Sequence, residues 1–600
     1  MIGKRRPQRE LFDVGNVYAL ALPPESFHAQ LAAAAPRLFR DEEFAAFYSE
    51  GMGRPSVPPS QLALMTLLQH EAGCSDAEAV ARTAYDLRWA AVLGRAAGEP
   101  LCAKSTFQLF RAHLVLHEAA RLLFEGSIQA ARRTGLLKGS ALRLAIDTKP
   151  ILGRGAVEDT YNLLSTGIQQ LVRALASREG ERGPEGAARH DLRRYFGPSL
   201  KGSTNIDWSD EAARNEFLTG IVVEARRLLR LAAPAVAEGN EAVREAAWLL
   251  EPLLLQDVAE SAASGGRPTA SLKEGHEPGR MPSATDPEVR HGRKSASKRF
   301  DGHKASVAVD TQSGIIVDAE LLAGDAPDAT RVLEQVERVE ASTGTAVALT
   351  LGDCAYGSGD LRQQFADAER VLVAKVPQRT NAGMFPKSAF LLDLEGHTIA
   401  CPGGETTGRF TTCRDGTQVF HFGTVCRGCS LRGQCTTAQA GREVRVHPQE
   451  ALLQAAREYQ QSAEGQAVLR ERVVAENRLG RLGQLGIGQA RYLGRRKTRC
   501  QLLLAAAVAN RRRTWNWLAA EHAQATAGAP SEPASQSTAA HATTTRAGRG
   551  PVSGWIGSAL CLCSHWLHQG WLRRATLHRI RYPAGAPLVN ACETPFRPQF

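Results

Sequence analysis

Short apolar segments typical of buried β-strands recur through the middle of this 600-residue chain, with helical segments between them. The first, LRLAID, is followed by a long helical and loop-rich tract that runs to about residue 297. Strand-like segments return in KASVAVD, GIIVDAELLAG, TAVALTLGD and RVLVAKV, whereas DATRVLEQVERV and residues 359–368 carry apolar residues at helical spacing. The order β, insertion, β, β, α, β, α, β predicts an α/β protein with a mixed sheet.

This order matches the mixed sheet of an RNase H-like fold that is interrupted after its first strand. Before it, residues 25–135 are predicted to be helical, with a stripe of Leu and Met in SQLALMTLLQHEAG that ends at Gly73. Ser75 and Glu78 have the spacing of a capping box, and residues 105–124 predict a further amphipathic helix. These helices fit either a helix-turn-helix or a plain helical bundle.

The same patterns suggest six regions along the chain. The segment from about 264 to 288 looks disordered, and after Thr526 the composition shifts to a low-complexity linker with few large apolar residues. The predicted regions are an all-helical N-terminal domain for binding DNA ends (1–135), the first catalytic strand with a helical insertion (136–297), the rest of the sheet (298–395), a Cys-rich insertion (396–450), a helix with the third acid and a basic segment (451–520), and a linker with a tail (521–600).

Charge and composition limit the classes of partner. The chain has 73 Lys and Arg against 62 Asp and Glu, a net charge of +11, which favours an anionic partner such as nucleic acid. It contains no long uncharged apolar stretch, so we expect no membrane span. The basic N-terminus has no apolar segment behind it, so a cytoplasmic protein is expected, with its 12 Cys as thiols or metal ligands.

Two apolar strand-like segments end on a carboxylate, at Asp147 and at Asp353. An Asp at a strand end is usually a turn or cap residue, but two in one sheet suggest a shared metal site. A third acid is then required, because Mg²⁺ prefers an oxygen shell built from a few carboxylates, water and phosphate. Glu476 is the best candidate, and Asp310 is the main rival for the second acid.

Glu476 lies in the most basic part of the sequence. Between residues 470 and 513 there are twelve Lys and Arg against two Glu. A solvated basic face is the usual explanation for such a run. Here it surrounds one acid and includes Tyr492, which better suits a groove for a phosphate backbone.

Four segments together resemble bacterial insertion-sequence DDE transposases, specifically the insertion-sequence group numbered 1182. They are LAIDTKPILGRGAVEDTYNL, FDGHKASVAVDTQSGII, LGDCAYGS and RVVAENRLGRLGQLGIGQARYLGRRKTRCQ. GMGRPSVPPSQLALMTLLQHEAGCSDAEAV also resembles the InsH-like helical N-terminal domain of that group. Distant relatives carry a Tyr, Arg, Glu and Lys set around the third acid. Here Arg472 fits, but Leu469 and Gly483 stand at the Tyr and Lys positions.

The resemblance implies that Asp147, Asp353 and Glu476 form a catalytic triad that binds two Mg²⁺ or Mn²⁺ ions. Asp147 would bridge both ions, with Asp353 on one and Glu476 on the other. The implied reactions are cleavage at the ends of the element and attack by the freed 3′-OH on target DNA. The implied partner is double-stranded DNA, both terminal inverted repeats and target, with a homodimer on DNA and no membrane.

The predicted DNA contacts come from three segments. Gly153 and Gly155 beside Asp147 are interpreted as room for a DNA strand, and residues 291–304 are either a DNA-binding segment or a solvated linker. The residues predicted to bind DNA are Lys149, Arg154, His303, Lys304, Arg472, Arg491, Tyr492, Arg495, Arg496, Lys497 and Arg499.

Five Cys fall within residues 401–435, two of them in the C-x-x-C spacing of a zinc knuckle. Four thiolates make a closed tetrahedral zinc site, and the alternative is a cluster of free thiols. The predicted ligands of a structural Zn²⁺ are Cys401, Cys426, Cys429 and Cys435, with Cys413 as a substitute.

The predicted function is that of a DNA transposase with metal-dependent cleavage and strand transfer. Two alternatives stay open: an inactive DNA-binding remnant of such an enzyme, and an RNase H-like nuclease that cuts without strand transfer. The presence of all three acids argues against an inactive remnant.

Overall fold

A computed structural model describes residues 1–527 except 6–13, 52, 262–268, 276–277, 296, 378–380 and 382. Contacts divide the chain into two units, Met1–Gln524 and Ala525–Phe600, and the following concerns the first. Of the linker and tail predicted for 521–600, residues 528–600 lie outside the described residues. In the described residues, no helix is both long enough and apolar enough to span a membrane.

The first part of the chain is helical, as the sequence predicts. Gly73 ends α3 in the left-handed conformation, and the Ser75 hydroxyl caps α4 by accepting the Glu78 amide. The helix predicted over residues 105–124 is instead two helices, α6 and α7, separated at Glu118, which has a φ of 52°. The helices are α1 Val14–Leu20, α2 Phe27–Leu38, a 3₁₀ helix Asp41–Phe47, α3 Pro59–Ala72, α4 Asp76–Tyr85, α5 Leu87–Leu93, α6 Lys104–Leu116 and α7 Ala120–Arg133.

The first strand is followed by a helical insertion with a hydrophobic core of its own. Its elements are β1 Ala141–Leu152, α8 Thr160–Arg178, α9 Gly183–Arg189, a 3₁₀ helix Arg193–Phe196, α10 Leu200–Ser203, α11 Glu211–Ala237, α12 Glu241–Asp257 and the hairpin β2 Val258–Ser261 with β3 Thr269–Leu272. Part of the segment that looks disordered in the sequence belongs to this core: β3 is a strand, and Met281 and Ala284 are buried.

The remaining elements around the main sheet follow in the order that the sequence predicts, except for one short strand, Arg290–Arg293, that was not predicted. They are β4 Arg290–Arg293, β5 Arg299–Asp310, β6 Ile316–Ala323, α13 Val332–Thr343, β7 Ala346–Gly352, a 3₁₀ helix Cys354–Tyr356, α14 Gly359–Asp367 and β8 Leu372–Ala374. The sheet has the order β4-β5-β1-β7-β8, and β6 pairs with β5 as well. β5 is antiparallel to β1, whereas β1, β7 and β8 are parallel, so the sheet is mixed.

A small Cys-rich region and four helices complete the described chain. Its two three-stranded sheets enclose a core of six buried residues, among them Phe390, Ile399 and Phe420. The elements are a 3₁₀ helix Lys387–Ala389, β9 Leu391–Asp393, β10 Thr398–Ala400, β11 Thr406–Thr407, β12 Phe410–Thr412, β13 Gln418–His421, a 3₁₀ helix Gly423–Arg427, α15 Arg432–Cys435, β14 Glu443–Val446, α16 Glu450–Gln461, α17 Ala463–Arg470, α18 Val473–Gln484 and α19 Arg495–Ala527.

One continuous core joins the N-terminal helices, the main sheet and the last helices. Trp89 of α5, Leu144 of β1 and Ala506 of α19 all belong to it, and each is at most 1% exposed. The segment LLLAAAVA of α19 is buried on every side, as expected for a helix without a polar stripe. The helical region therefore packs directly on the scaffold that carries the predicted acids.

Candidate active site

Asp147 and Asp353 lie side by side because β1 and β7 are parallel neighbours. Ala145 is paired with Leu351 in this register, and each aspartate follows two residues later. The backbone of Asp353 is still extended, with φ −82° and ψ −165°. Since side chains two apart in extended chain point to the same face, both carboxylates project from the same face of the sheet, just beyond the last β1–β7 pair. The prediction that the first strand ends at Asp147 is wrong, because β1 stays paired with β5 as far as Leu152.

Backbone amides hold both carboxylates. Oδ1 of Asp147 accepts the amide of Thr148 at 2.7 Å, and Oδ1 of Asp353 accepts the amide of Ala355 at 2.8 Å. The second of these bonds caps the short 3₁₀ helix after β7. Oδ2 of Asp147 lies 3.5 Å from Nη1 of Arg472, whereas Oδ2 of Asp353 has no hydrogen-bond partner among the described residues.

Glu476 reaches the same place from the first turn of α18, which packs against β1. Arg472, one helical turn earlier, links two of the acids. Its Nη2 donates to Oε1 of Glu476 at 2.7 Å, and its Nη1 lies 3.5 Å from Oδ2 of Asp147. Residues separated by more than 300 positions thus meet around one guanidinium.

The electrostatics of Asp147 reflect this convergence. Burial, with smaller contributions from the charges of Asp353 and Glu476, raises the pKa of its carboxyl to about 6, although the Thr148 amide and Arg472 act to lower it. The phenol of Tyr356 is buried behind the site, and its pKa is raised well above the usual range by burial and by Asp147. Protonated, this phenol puts no further negative charge beside the acids.

The three acids offer the oxygen donors that Mg²⁺ and Mn²⁺ prefer. Their side chains do not form a closed ligand shell: within the described residues, no three His, Cys, Asp or Glu are grouped so as to hold a metal ion. We attribute this to Arg472, whose guanidinium faces two of the carboxylates. The donor chemistry of the three carboxylates fits a divalent cation.

Lys149 fills the space beside Gly483. A Cβ atom built on Gly483 would lie only 2.9 Å from Nζ of Lys149. In distant relatives of the transposases that this sequence resembles, this position of the helix carries a Lys. Here the strand that bears Asp147 supplies an ammonium at that place instead.

The rival acid Asp310 has a structural role. It is buried at the end of β5, where Oδ2 accepts the amide of Ser313 at 2.8 Å and its hydroxyl at 2.6 Å. These bonds close the turn between β5 and β6. Asp310 lies opposite Leu144, whereas Asp147 lies opposite Val307.

The glycines near Asp147 make room for protein. A Cβ at Gly153 would lie 2.6 Å from Val289, and one at Gly155 would lie 2.5 Å from Ser283. The interpretation of these glycines as room for a DNA strand is therefore wrong. Arg154 between them is exposed, and its predicted DNA contact stays a prediction.

His303 and Lys304 are interior residues of β5. His303 is fully buried, and Nζ of Lys304 forms an ion pair with Asp328 at 2.8 Å and donates to the carbonyl of Ala326. Since DNA cannot reach either side chain in this arrangement, the structure contradicts their assignment as DNA contacts.

Much of the predicted basic groove makes contacts within the chain. Arg491 donates to the carbonyl of Cys74 at 2.6 Å, and Arg111 of α6 donates to the hydroxyl of Tyr492. Arg495, Arg496 and Arg499 likewise bond to Leu321, Leu116 and Glu118, respectively. These bonds hold the N-terminal helices and the sheet against α19, so the charge run has a structural explanation. DNA binding by these residues and by Lys497 stays a prediction.

The four predicted zinc ligands line one small cavity of about 20 Å³. Cys401 follows β10, Cys426 and Cys429 lie in and just after the 3₁₀ helix Gly423–Arg427, and Cys435 ends α15. Cys413 is exposed and does not line this cavity. Burial raises the pKa of the Cys435 thiol, and the other three sulfurs add to the rise. The sulfurs are not at metal-binding spacing in the described part of the chain, so zinc is not confirmed.

One feature beside the acids was missed from the sequence. An open cleft of about 770 Å³ adjoins Asp353 and is lined by residues that follow β7 and β8 and by the end of α16 and α17. Besides Cys354, its polar lining consists of Lys375, Gln460, Gln461, Gln466 and Arg470, of which Gln460 already accepts the amide of Val376 through Oε1. The only signal in the sequence is Lys375, a cation directly after the strand-like segment RVLVAKV.

Two segments match models of protein families. Residues 400–515 match a transposase DDE domain, and residues 17–113 match a transposase domain, DUF772. The first match includes Glu476 and the Cys-rich region but neither Asp147 nor Asp353. No curated protein and no solved structure matched the chain. The two matches, at the helical N-terminal region and at the helix that carries the third acid, support a DDE transposase of the insertion-sequence type.

Proposed function

We propose that this chain is a DNA transposase that cleaves DNA at the ends of an insertion sequence and joins the freed 3′-OH to target DNA. The convergence of Asp147, Asp353 and Glu476 at one edge of the sheet carries the proposal. The matches to a transposase DDE domain and to a second transposase domain support it. We assign the chain to the insertion-sequence group numbered 1182 on the sequence resemblance alone.

The strand order supports an RNase H-like catalytic core. Without β4, the order of the strands across the sheet is β6-β5-β1-β7-β8. Neighbouring strands among β6, β5 and β1 are antiparallel, whereas β7 and β8 run parallel to β1. The helical insertion follows β1, whose last residue, Leu152, is five positions after Asp147. The insertion therefore does not interrupt the part of the strand that carries this acid.

The residues of the site have distinct tasks in this reaction. The uncatalysed barrier for phosphodiester cleavage must fall by roughly 20 kcal/mol. When bound, two divalent cations would supply a water or 3′-OH of lowered pKa and stabilisation of the departing oxygen. Asp147, Asp353 and Glu476 would hold them. Lys149 would bind phosphate oxygens of the scissile strand, and so would Arg472 once it is released from Glu476.

We also propose that the cavity between Cys401, Cys426, Cys429 and Cys435 takes a structural Zn²⁺. The core of the Cys-rich region is small, with six buried residues and eight partly buried ones packed against them, and small cores are often reinforced by a structural metal. A metal held by four thiolates would add to the stability of the Cys-rich region. The amide of Arg442 already donates to Sγ of Cys426 at 3.4 Å, as to a thiolate ligand.

The test uses the full chain and a duplex oligonucleotide that bears the inverted repeat flanking the coding region. With Mn²⁺ and a target plasmid, we expect cut and joined products. Asp147→Asn, Asp353→Asn and Glu476→Gln should each lower cleavage by about a thousandfold, because a bound metal contributes several kcal/mol to the transition state.

Asp310→Asn is the matched control, since it changes a carboxylate of the same sheet that caps a turn. It should retain cleavage while lowering the melting temperature. Cut but unjoined DNA would favour a nuclease without strand transfer, and bound but uncut DNA would favour an inactive remnant. Cleavage that survives Asp147→Asn would overturn the proposal.

A further inference from the structure

We infer that the open cleft beside Asp353 binds the DNA strand as it leaves the catalytic edge, and this inference rests on the proposed function. We call it the strand-end cleft and define it by Cys354, Lys375, Gln461, Gln466 and Arg470. Its volume of about 770 Å³ lies in the range of small-molecule sites, which is sufficient for a nucleotide.

The position of the cleft connects it to the acids. Cys354 directly follows Asp353 at the end of β7, and Lys375 directly follows β8. Both strands run parallel to β1, so the cleft opens outside the carboxyl ends of parallel strands, where ligands of α/β sheets bind. Arg470, on its opposite wall, is two residues before Arg472, which bonds to Glu476.

The positive charge of the cleft favours an anionic ligand. Lys375 and Arg470 are exposed, and neither forms an ion pair with any residue that the structure describes. The lining contains no Asp or Glu. By contrast, Arg491 and Arg499, which the sequence made the better DNA candidates, already have acidic partners within the chain.

The uncharged lining fits the rest of a nucleotide. The side-chain amide of Gln461 offers a donor and an acceptor, and Oε1 of Gln466 offers an acceptor, which suit base edges; Nε2 of Gln466 already donates to the carbonyl of Gln461 at 3.2 Å. Val376, Pro377 and Leu469 give apolar surface against which a sugar or base can pack. A phosphate on the two cations with a base on the amides is the arrangement that this lining favours. The phosphate contacts of the two cations do not depend on base sequence.

The first experiment measures shielding of Cys354, whose thiol is exposed. The full chain is alkylated with N-ethylmaleimide without divalent metal, alone or with a single-stranded oligonucleotide at a concentration that saturates binding by fluorescence anisotropy. Peptide mass spectrometry gives the rate at each cysteine. We expect a severalfold slower reaction at Cys354 and an unchanged rate at Cys413, which is also exposed but lies in the Cys-rich region.

The second experiment removes the two cations. Lys375→Ala with Arg470→Ala should weaken binding of the oligonucleotide by roughly tenfold per cation at 0.1 M salt, and should lower the slope of log K against log salt by about 1 per cation. Arg470→Lys should restore most of the slope. Lys138→Ala is the matched control, because Lys138 is exposed just before β1, at the opposite end of the parallel strands.

The two hypotheses fail differently. If the oligonucleotide binds, yet Cys354 reacts at its free rate and the double variant keeps the full salt slope, the strand-end cleft is not the binding site, and the proposed function stands. If Cys354 is shielded but the slope does not change, Lys375 and Arg470 do not bind phosphate, and the inference is overturned. If the wild-type chain binds neither single-stranded nor duplex DNA, the proposed function itself fails.

Discussion

Arg472 and Glu476 form an ion pair of 2.7 Å across one turn of α18, with the same guanidinium 3.5 Å from Asp147. The side chain of Glu476 is half exposed, whereas that of Asp147 is 17% exposed. A cation built into the chain thus already balances the two carboxylates that are proposed to bind metal. Its presence keeps mutually repelling acids together before any ligand arrives.

If Arg472 competes with metal, Arg472→Ala should tighten binding of Mn²⁺ by the chain without DNA, while it lowers DNA cleavage. The measurement is a titration followed by electron paramagnetic resonance of free Mn²⁺ at pH 8, where Asp147 is ionised. Arg472→Lys, which keeps the charge, should bind Mn²⁺ about as the wild type does. Weaker Mn²⁺ binding by Arg472→Ala would show that the guanidinium supports the site rather than competing for it.

The ion pair between Arg111 and Asp76 should be important for stability. Arg111 is 7% exposed and lies 2.7 Å from Asp76, and it also donates to Tyr492. Burial works to raise the pKa of Asp76, but Arg111 together with the hydrogen bonds from Gln69 and Gln108 lowers it below its usual value, so this carboxyl stays charged.

Asp76→Ala leaves a buried, uncompensated guanidinium and should cost about 3–5 kcal/mol of the free energy of unfolding. Glu43→Ala breaks a pair with Arg40 whose side chains are 37% and 77% exposed, and it should cost less than about 1 kcal/mol. Chemical denaturation of both variants provides the test. Equal losses would mean that burial does not control the strength of these pairs.

His70 should make the fold sensitive to acid. It is buried in α3, and burial, followed by the charges of Arg491 and Arg111, lowers its pKa to about 3. In the unfolded chain its pKa is near 6.5, so between pH 6.5 and 3 the unfolded state binds a proton that the folded state rejects. Stability from this group is complete above pH 6.5 and is lost as the pH falls, by about 1.4 kcal/mol per pH unit.

His70→Gln should therefore reduce the loss of unfolding free energy between pH 7 and pH 5 by about 2 kcal/mol relative to the wild type. The measurement is denaturant unfolding at the two pH values. His117→Gln, at an exposed histidine, should leave the difference unchanged. An identical pH dependence in His70→Gln and wild type would place the acid sensitivity elsewhere.

The zinc proposal predicts one equivalent of zinc in the purified chain, measured by plasma mass spectrometry. Cys429→Ser removes a thiol that lines the cavity and should lose the metal and lower the melting temperature. Cys413→Ser is the matched control, because Cys413 lies in the same region but outside the cavity. Zinc-free wild-type protein with four reactive thiols would mean that the cavity is simply an apolar contact.

Local patterns predicted much of the fold. The order of strands and helices from β5 to β8 is the predicted one, because each segment has a clear period and ends at a residue such as Gly314 or Gly344 that favours a turn. The break between α6 and α7 was not predicted. Its cause is the left-handed backbone of Glu118, which no local pattern encodes.

The candidate site likewise combines features that the sequence predicts with features that only the tertiary structure shows. The sequence itself determined that Asp353 follows a strand and that Glu476 lies on a helix, since these depend on neighbours in sequence. It did not determine where the first strand ends, because pairing with β5 extends β1 beyond Asp147 to Leu152. Only the tertiary structure decided that β1 and β7 are parallel neighbours and that Arg472 joins two acids. It also decided which basic residues are bound within the chain and which face the strand-end cleft. Burial and pairing arise from contacts between residues hundreds of positions apart, and a charge pattern along the chain carries no information about those contacts.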